Sequence, residues 1–188
     1  LVICRAQQAR AAIGRAADTH IKRRSGAHPG DVIFTAGALG ASGAGLRDIL
    51  AGRYDTPAAA VHRNPRPQVA EGVWLGQRHE VHAMMDISDG LASDIRHIME
   101  RSGVGAAIDT ERIPAAADAD IRTAACAGED YVLLLTADCA DAERLAADFL
   151  ARFGAPLHPV GRITDGRELE WFENGTLRPL DWHGFTHY

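Results

Sequence analysis

At 188 residues the chain can form one domain, or two small ones, with a real hydrophobic core. Its 46% hydrophobic and 24% charged residues describe an ordinary globular protein. A net charge of -5 excludes a general grip on nucleic acid, which needs a basic surface, but leaves room for an anionic ligand held through a metal. No apolar run reaches the roughly 18 residues of a membrane span, there is no signal-peptide pattern, and Cys4, Cys126 and Cys139 are widely spaced without a CxxC pair. That cysteine usage suits a reducing cytosol and argues against structural zinc, so the expected location is cytoplasmic with no membrane partner.

The chain opens on Leu1, and "LVIC" reads like the inside of a strand, so we expect a piece of a longer protein. "LVICRAQQARAAIGRA" is a strand or an Ala/Arg/Gln-rich helix, with composition favouring helix. "RRSGAHPGD" (23–31) is a turn cluster punctuated by Gly26, Pro29 and Gly30. "DVIFTAG" (31–37) is a short β-branched strand, and "GALGASGAGLRDIL" (37–50) runs from a glycine-rich turn into a helix. "RNPRP" (63–67) is a loop because its prolines block regular structure, and 68–82 reads as helical, with Val69, Val73, Trp74 and Leu75.

"HAMMDIS" (82–88) has the pattern of a buried strand. "DGLASDIRHIMERSG" (89–103) is the clearest helix: Leu91, Ile95, Ile98 and Met99 share one face and Gly103 ends it. "VGAAID" (104–109) is a strand, and "CAGEDYVLLLTAD" (126–138) is a turn followed by the strand Tyr131–Thr136. "DAERLAADFLARFG" (141–154) predicts an amphipathic helix with Leu145, Phe149, Leu150 and Phe153 inward. "PVGRIT" (159–164) and "LEWFENGTLRPL" (169–180) are short strands, the latter folded at Asn174-Gly175. Strands alternating with helices give an α/β or α+β class.

Chemistry concentrates at the seam "DISDG". Asp86 and Ser88 would point to one face of a strand end, and Asp89 would open the following helix. Two carboxylates there can hold a hard cation through oxygen, Mg²⁺ being usual beside phosphates, with the helix N-terminus adding donors. Ser and Asp are also preferred helix caps, and on spacing alone capping is the favoured reading of their presence. In "AGEDY", Glu129 and Asp130 precede a strand, where they suit a ligand or a solvated turn. "TAGALGASGAGL" is neither a Walker A motif nor GxGxxG, and tight packing explains its glycines as well as phosphate binding does. His79 and His82 are close in sequence, but no HExxH occurs, and the histidines read as a scattered surface population. The terminal aromatics Trp182, Phe185 and Tyr188 dock on the core or lid a pocket.

Taken in order, "RRSGAHPGD", "TAGALGASGAGL", "HRNPRP", "MMDISDGLASDI", "SGVGAAI", "GEDYVLLLT" and "GFTHY" resemble thiamine-monophosphate kinase, in the aminoimidazole ribonucleotide synthetase-like superfamily. The set is specific although each member alone is not. The resemblance implies a C-terminal synthetase-like domain over 28–188, preceded over 1–27 by a remnant of the N-terminal ATP-binding domain. It implies ATP- and Mg²⁺-dependent phosphorylation of thiamine monophosphate to thiamine diphosphate, by a protein that is a homodimer at full length. Asp86 and Asp89 would bind Mg²⁺, Arg24 and Ser88 would contact ATP, and Glu129, with Asp130 close behind, would face the substrate. Phe185 would stack on the thiamine rings. Ala36, Ala41 and Gln68 stand where the family often has Thr, Asp and Arg. The rival readings are another enzyme of the superfamily, selenophosphate synthetase-like or hydrogenase maturation-like, and a non-catalytic ligand-binding fragment. With the upstream half missing, the chain alone is expected not to turn over.

Overall fold

The computed structural model describes residues 17–184. At its centre is a seven-stranded sheet built from β1 (Val32–Thr35), β2 (Val81–Ile87), β3 (Gly105–Asp109), β4 (Val132–Ala137), β5 (His158–Thr164), β6 (Leu169–Glu173) and β7 (Thr176–Arg178). The strand order is β2-β4-β1-β5-β3-β6-β7, and every pairing is antiparallel except β3 with β6. The helices are α1 (Ala41–Leu50), α2 (Pro57–Arg63), α3 (Val69–Gly76), α4 (Leu91–Ser102), α5 (Ile121–Cys126) and α6 (Ala142–Phe153). None of the helices among the described residues is long and apolar enough to cross a membrane.

Residues of β1 alternate between two hydrophobic cores, because successive side chains of a strand point to opposite faces. Ile33 joins Ala83, Met85, Ile87, Leu134 and Val160 on one face, where Leu91, Ile95 and Ile98 of α4 cover them. Val32 and Phe34 join Val81, Leu135 and Ala137 on the other, under Leu75 of α3 and Leu145 and Phe149 of α6. Both faces of β1 are therefore buried, and its run of bulky residues is unbroken by polar ones until Thr35. Each fully buried Ile or Leu stabilises the fold by about 1.5–3 kcal/mol.

The strongest sequence patterns fold as expected. Leu91, Ile95, Ile98 and Met99 of α4 are all buried, and Gly103 closes the helix in the left-handed region with its amide bonded to Met99. Asn174 and Gly175 both have positive φ, at 51° and 71°, which is the type I′ turn that a tight hairpin requires. Three expectations change. The helix after the proline loop stops at Gly76, and β2 begins at Val81, so 68–82 is not one helix. Leu150 of α6 is 49% exposed because it is rotated about 100° from Phe149, off the buried stripe. Two short helices, α2 and α5, add to the elements expected from the sequence. Each is too short for an apolar period, and each is started by a side-chain cap: Thr56 accepts from the Ala59 amide at 3.1 Å, and Asp120 from the Thr123 amide at 2.7 Å.

Candidate functional site

Strand β2 carries Asp86 on its exposed side, buries Ile87, and then passes through Ser88, Asp89 and Gly90 into α4. The loop before β4 lies directly against this turn. The Glu129 amide donates to the Ser88 carbonyl at 2.8 Å and the Tyr131 amide to the Ile87 carbonyl at 2.8 Å. Glycine permits this approach: a Cβ at Gly128 would stand 2.5 Å from the Ser88 carbonyl oxygen, and one at Gly90 would stand 2.8 Å from the Cys126 carbonyl carbon. The DISDG and GEDY stretches, far apart in sequence, are thus one site. Its loop is strained, since Glu129 and Tyr131 both adopt positive φ, 67° and 52°, at a cost of roughly 1–2 kcal/mol each.

Three carboxylates act on one phenol here. The Tyr131 hydroxyl donates to Glu129 Oε2 at 3.0 Å. The Tyr131 pKa is raised, first by burial, then by Glu129, and further by the charges of Asp86 and Asp89. Beneath them Asp94, 1% exposed, accepts from the amides of Ser88 and Asp89 at 2.9 and 3.0 Å through Oδ2. Burial pushes the Asp94 pKa up, while its bonds to those amides pull the other way. Its Oδ1 is buried without a hydrogen-bond partner among the described residues, and ligand atoms of Asp89, Asp94 and His97 lie within 4.8 Å of one another. Two carboxylates and one imidazole nitrogen make a mixed oxygen-and-nitrogen donor set that a divalent cation can occupy, with the charge of Asp86 acting on Tyr131 beside it. The capping position of α4 itself falls on Gly90, which has no side chain, so neither Ser88 nor Asp89 stands at the N-cap.

Asp130 turns away from this cluster. Its carboxylate accepts from the Gly40 amide at 2.6 Å and the Ser42 amide at 3.1 Å, at the N-terminus of α1. Burial raises its pKa and the two amides lower it. The glycine-rich segment therefore presents its first amides to a carboxylate of the same chain. Its glycines also serve packing: a Cβ at Gly45 would meet the Ala58 carbonyl oxygen of α2 at 2.1 Å.

A cavity of about 410 Å³ adjoins the site, lined by Pro65, Pro67, Gln68, Val69, Asp86, Tyr131 and Leu133. Gln68 builds its wall with both ends of its amide, donating to the Ala36 carbonyl and accepting from the Leu133 amide, each at 2.8 Å. A larger cavity, about 490 Å³, lies between α6 and β5 and contains none of the acidic residues of the seam.

The last described residues, Trp182 to Gly184, also reach the seam. Trp182 docks edge-on against buried Trp171, with ring centroids 5.0 Å apart, and the Gly184 backbone lies against Asp89, where a Cβ would be 2.2 Å from its carbonyl oxygen. Phe185 lies outside the described residues. Arg24 is not brought to the seam: its carbonyl accepts from Ser102 Oγ at 2.8 Å, at the far end of α4, roughly 18 Å along a helix rising about 1.5 Å per residue. The sequence reading missed Asp94, for which an acidic residue in the first turn of a helix was the available signal. It named Tyr131 only as part of the GEDY motif and Gln68 only as a position where the family often has arginine, with no signal for the roles they take here. The histidines are not all scattered either, since His28 and His82 meet over Asp31.

Comparison with known proteins agrees with this geometry. The family described as AIR synthase related protein, C-terminal domain, matches residues 28–172. The thiamine-monophosphate kinase of Salmonella typhimurium is 34% identical over 184 residues, covering 88% of this chain and 55% of the relative. The crystal structure of thiamine-monophosphate kinase from Stenotrophomonas maltophilia K279a superposes with a TM-score of 0.71 at 29% identity, covering 84% of this chain and 54% of that one. A structure of AaThiL complexed with AMPPCP and TMP gives a TM-score of 0.70 at 28% identity, covering 88% and 53%. The chain spans about half the length of the curated relatives it matches. It belongs to the AIR synthase related family, whose C-terminal domain it carries.

Proposed function

We propose that this chain is the C-terminal part of a thiamine-monophosphate kinase, which transfers the γ-phosphoryl group of ATP to the phosphate of thiamine monophosphate. The carrying observation is the convergence of Asp86, Asp89 and Glu129 around Tyr131, where two distant motifs are bonded backbone to backbone. The relatives named thiamine-monophosphate kinase, and the neighbour holding AMPPCP and TMP, support the reading. The family match beginning at residue 28 supports a boundary between an N-terminal remnant, 1–27, and the domain that follows.

In the proposed reaction a phosphate oxygen of thiamine monophosphate attacks the γ-phosphorus in line as the bond to ADP breaks. The attacking oxygen is already anionic, so no strong general base is needed, and positioning dominates. Asp86 and Asp89 would hold Mg²⁺, which when bound neutralises the charge of two anions brought together. Ser88 would contact ATP, and Glu129, oriented by the Tyr131 hydroxyl, would face the thiamine substrate. Asp130 acts as a positioning residue by fixing the GEDY loop to α1. The cavity beside Asp86, apolar with one carboxylate, suits the organic part of a phosphorylated ligand. Phe185, next to a glycine that already touches Asp89, would lie over that ligand. Arg24 would meet the nucleotide only where another part of the protein brings it there. The upstream half would complete the site and a homodimer.

The test is ATP-dependent conversion of thiamine monophosphate by the product of the complete reading frame, beside Asp86→Asn and Asp89→Asn. Mg²⁺-dependent turnover that falls at least a hundredfold in each variant is expected. Turnover retained in both would return these residues to a structural role, and no turnover in the unaltered protein would overturn the reading in favour of another acceptor or a binding role.

A further inference from the structure

We propose that His28, Asp31 and His82 form a site for one divalent transition metal ion of the zinc type, separate from the acidic seam and independent of the kinase reading. Nδ1 of His28 lies 3.2 Å from Nδ1 of His82, which in turn lies 2.9 and 3.0 Å from the two oxygens of Asp31. Zinc binds imidazole nitrogen and carboxylate oxygen at about 2.0–2.2 Å in a tetrahedron, whose ligand atoms are then roughly 3.3 Å apart. Two of the separations, from His82 to His28 and from His82 to Asp31, already stand close to the edges of such a figure, and all three donors lie within 4.8 Å of one another.

Protons alone serve this arrangement badly. His82 Nδ1 can carry one proton, and facing two carboxylate oxygens it must direct that proton to Asp31. His28 Nδ1 is then left beside an N–H already committed elsewhere. A cation among the three atoms satisfies all of them, with each ring keeping its proton on Nε2. Asp31 is buried, 3% exposed, and holds a second bond from the His28 amide at 2.9 Å, so the carboxylate is fixed in place before any ion arrives. His28 is exposed, which leaves an open path and a free fourth position for water.

The two rings belong to different segments. His28 and Asp31 precede β1, while His82 is near the start of β2, on the same side as Met84 and Asp86 by the alternation of burial along the strand. Asp86 is four residues from His82, roughly 13 Å along the strand, so the two sites do not share an ion. The link would reinforce a contact already made by the backbone, where Arg23 pairs with Ala83 and the Met84 amide donates to the Arg23 carbonyl at 3.3 Å. Such an ion pins the segment leading into the domain against the strand that carries Asp86. Two nitrogen ligands select zinc, cobalt or nickel over Mg²⁺.

The experiment titrates the chelator-stripped 188-residue chain with Zn²⁺, Co²⁺ and Mg²⁺, following melting temperature and the visible absorption of Co²⁺. One Zn²⁺ at this site, counted apart from any held by the acidic seam, with a raised melting temperature, a Co²⁺ spectrum of a nitrogen-and-oxygen site, and no such response at this site to Mg²⁺ are expected. Affinity should fall at least tenfold in His28→Ala and in His82→Ala, and stay unchanged in His79→Ala. Because His28 is exposed, His28→Ala should keep the melting temperature of the metal-free chain, which separates lost binding from lost folding. Absence of any Zn²⁺ whose binding depends on His28 and His82, binding unchanged in His28→Ala, or equal loss in His79→Ala would overturn the proposal.

Discussion

The amide of Glu129 donates to the carbonyl of Ser88 at 2.8 Å, and this bond joins the loop before β4 to the turn after β2. The joint leaves no room for a methyl group, since a Cβ at Gly128 would sit 2.5 Å from that same carbonyl oxygen. Gly128→Ala should therefore destabilise by about 1–3 kcal/mol, as overpacked sites do. That corresponds to a fall of roughly 2–12 °C in melting temperature at 2–4 °C per kcal/mol. Gly72→Ala is the control: its Cβ would meet only Leu133 Cδ1, at an ordinary 3.6 Å, inside helix α3, where alanine is preferred. Equal melting temperatures for the two variants would contradict the close-packed joint.

Tyr131 orients Glu129 through one hydrogen bond of 3.0 Å. Tyr131→Phe keeps the ring that lines the cavity and removes only the donor. A bond of this kind contributes about 1 kcal/mol, roughly fivefold in an equilibrium constant. In the complete protein the expected result is a KM for thiamine monophosphate raised about fivefold, with the KM for ATP unchanged. A shift in the ATP constant alone would place Glu129 on the nucleotide instead.

The sequence showed the elements whose pattern is self-sufficient. Leu91, Ile95, Ile98 and Met99 announce α4 because four apolar residues at this spacing line up on one face of a helix and on neither face of a strand, and Asn174-Gly175 announces a hairpin because both positions need positive φ. It also supplied the acidic residues Asp86, Asp89 and Glu129, but not their meeting, which depends on β2 and β4 pairing side by side with Ile87 opposite Val132. Asp130 illustrates the limit. Next to Glu129 in sequence, it reads as a second ligand-facing carboxylate, yet the reversal of the chain at positive φ aims it at the amides of Gly40 and Ser42. Gln68 was visible only as a residue where the family often has arginine. That its amide bridges the residue after β1 and strand β4 is a tertiary fact with no local signal.

Asp130 also makes the stability depend on pH in a definite direction. Burial is the largest influence on its pKa and raises it, so the folded chain keeps its proton to higher pH than the unfolded chain. Its contribution is then greatest below the unfolded value, near pH 3.9, and declines as pH rises through the folded value. Asp130→Asn removes the titration. In denaturant melts, the stability of the unaltered chain relative to this variant should fall as pH is raised from about 4 towards neutrality. A rising difference over that window would mean that the two amides, and not burial, dominate the carboxyl.

Gln68 offers the sharpest separation of scaffold from chemistry. Its side chain donates to the Ala36 carbonyl and accepts from the Leu133 amide, so it fixes the proline loop to the β1 and β4 edges of the cavity. Gln68→Ala leaves both backbone groups without this partner, and an unsatisfied buried group costs about 1–3 kcal/mol. The expected loss is therefore roughly 2–6 kcal/mol, towards the lower end if water enters the cavity. Gln68→Glu keeps the acceptor for Leu133 but sets a carboxylate against the Ala36 carbonyl, so its stability should lie between the unaltered chain and Gln68→Ala at acid pH. At neutral pH, where the carboxyl is charged and the Ala36 contact is repulsive, it should fall towards or below Gln68→Ala. A Gln68→Glu variant as stable as the unaltered chain at neutral pH would show that the Ala36 bond contributes nothing, and that the loop is held by its prolines alone.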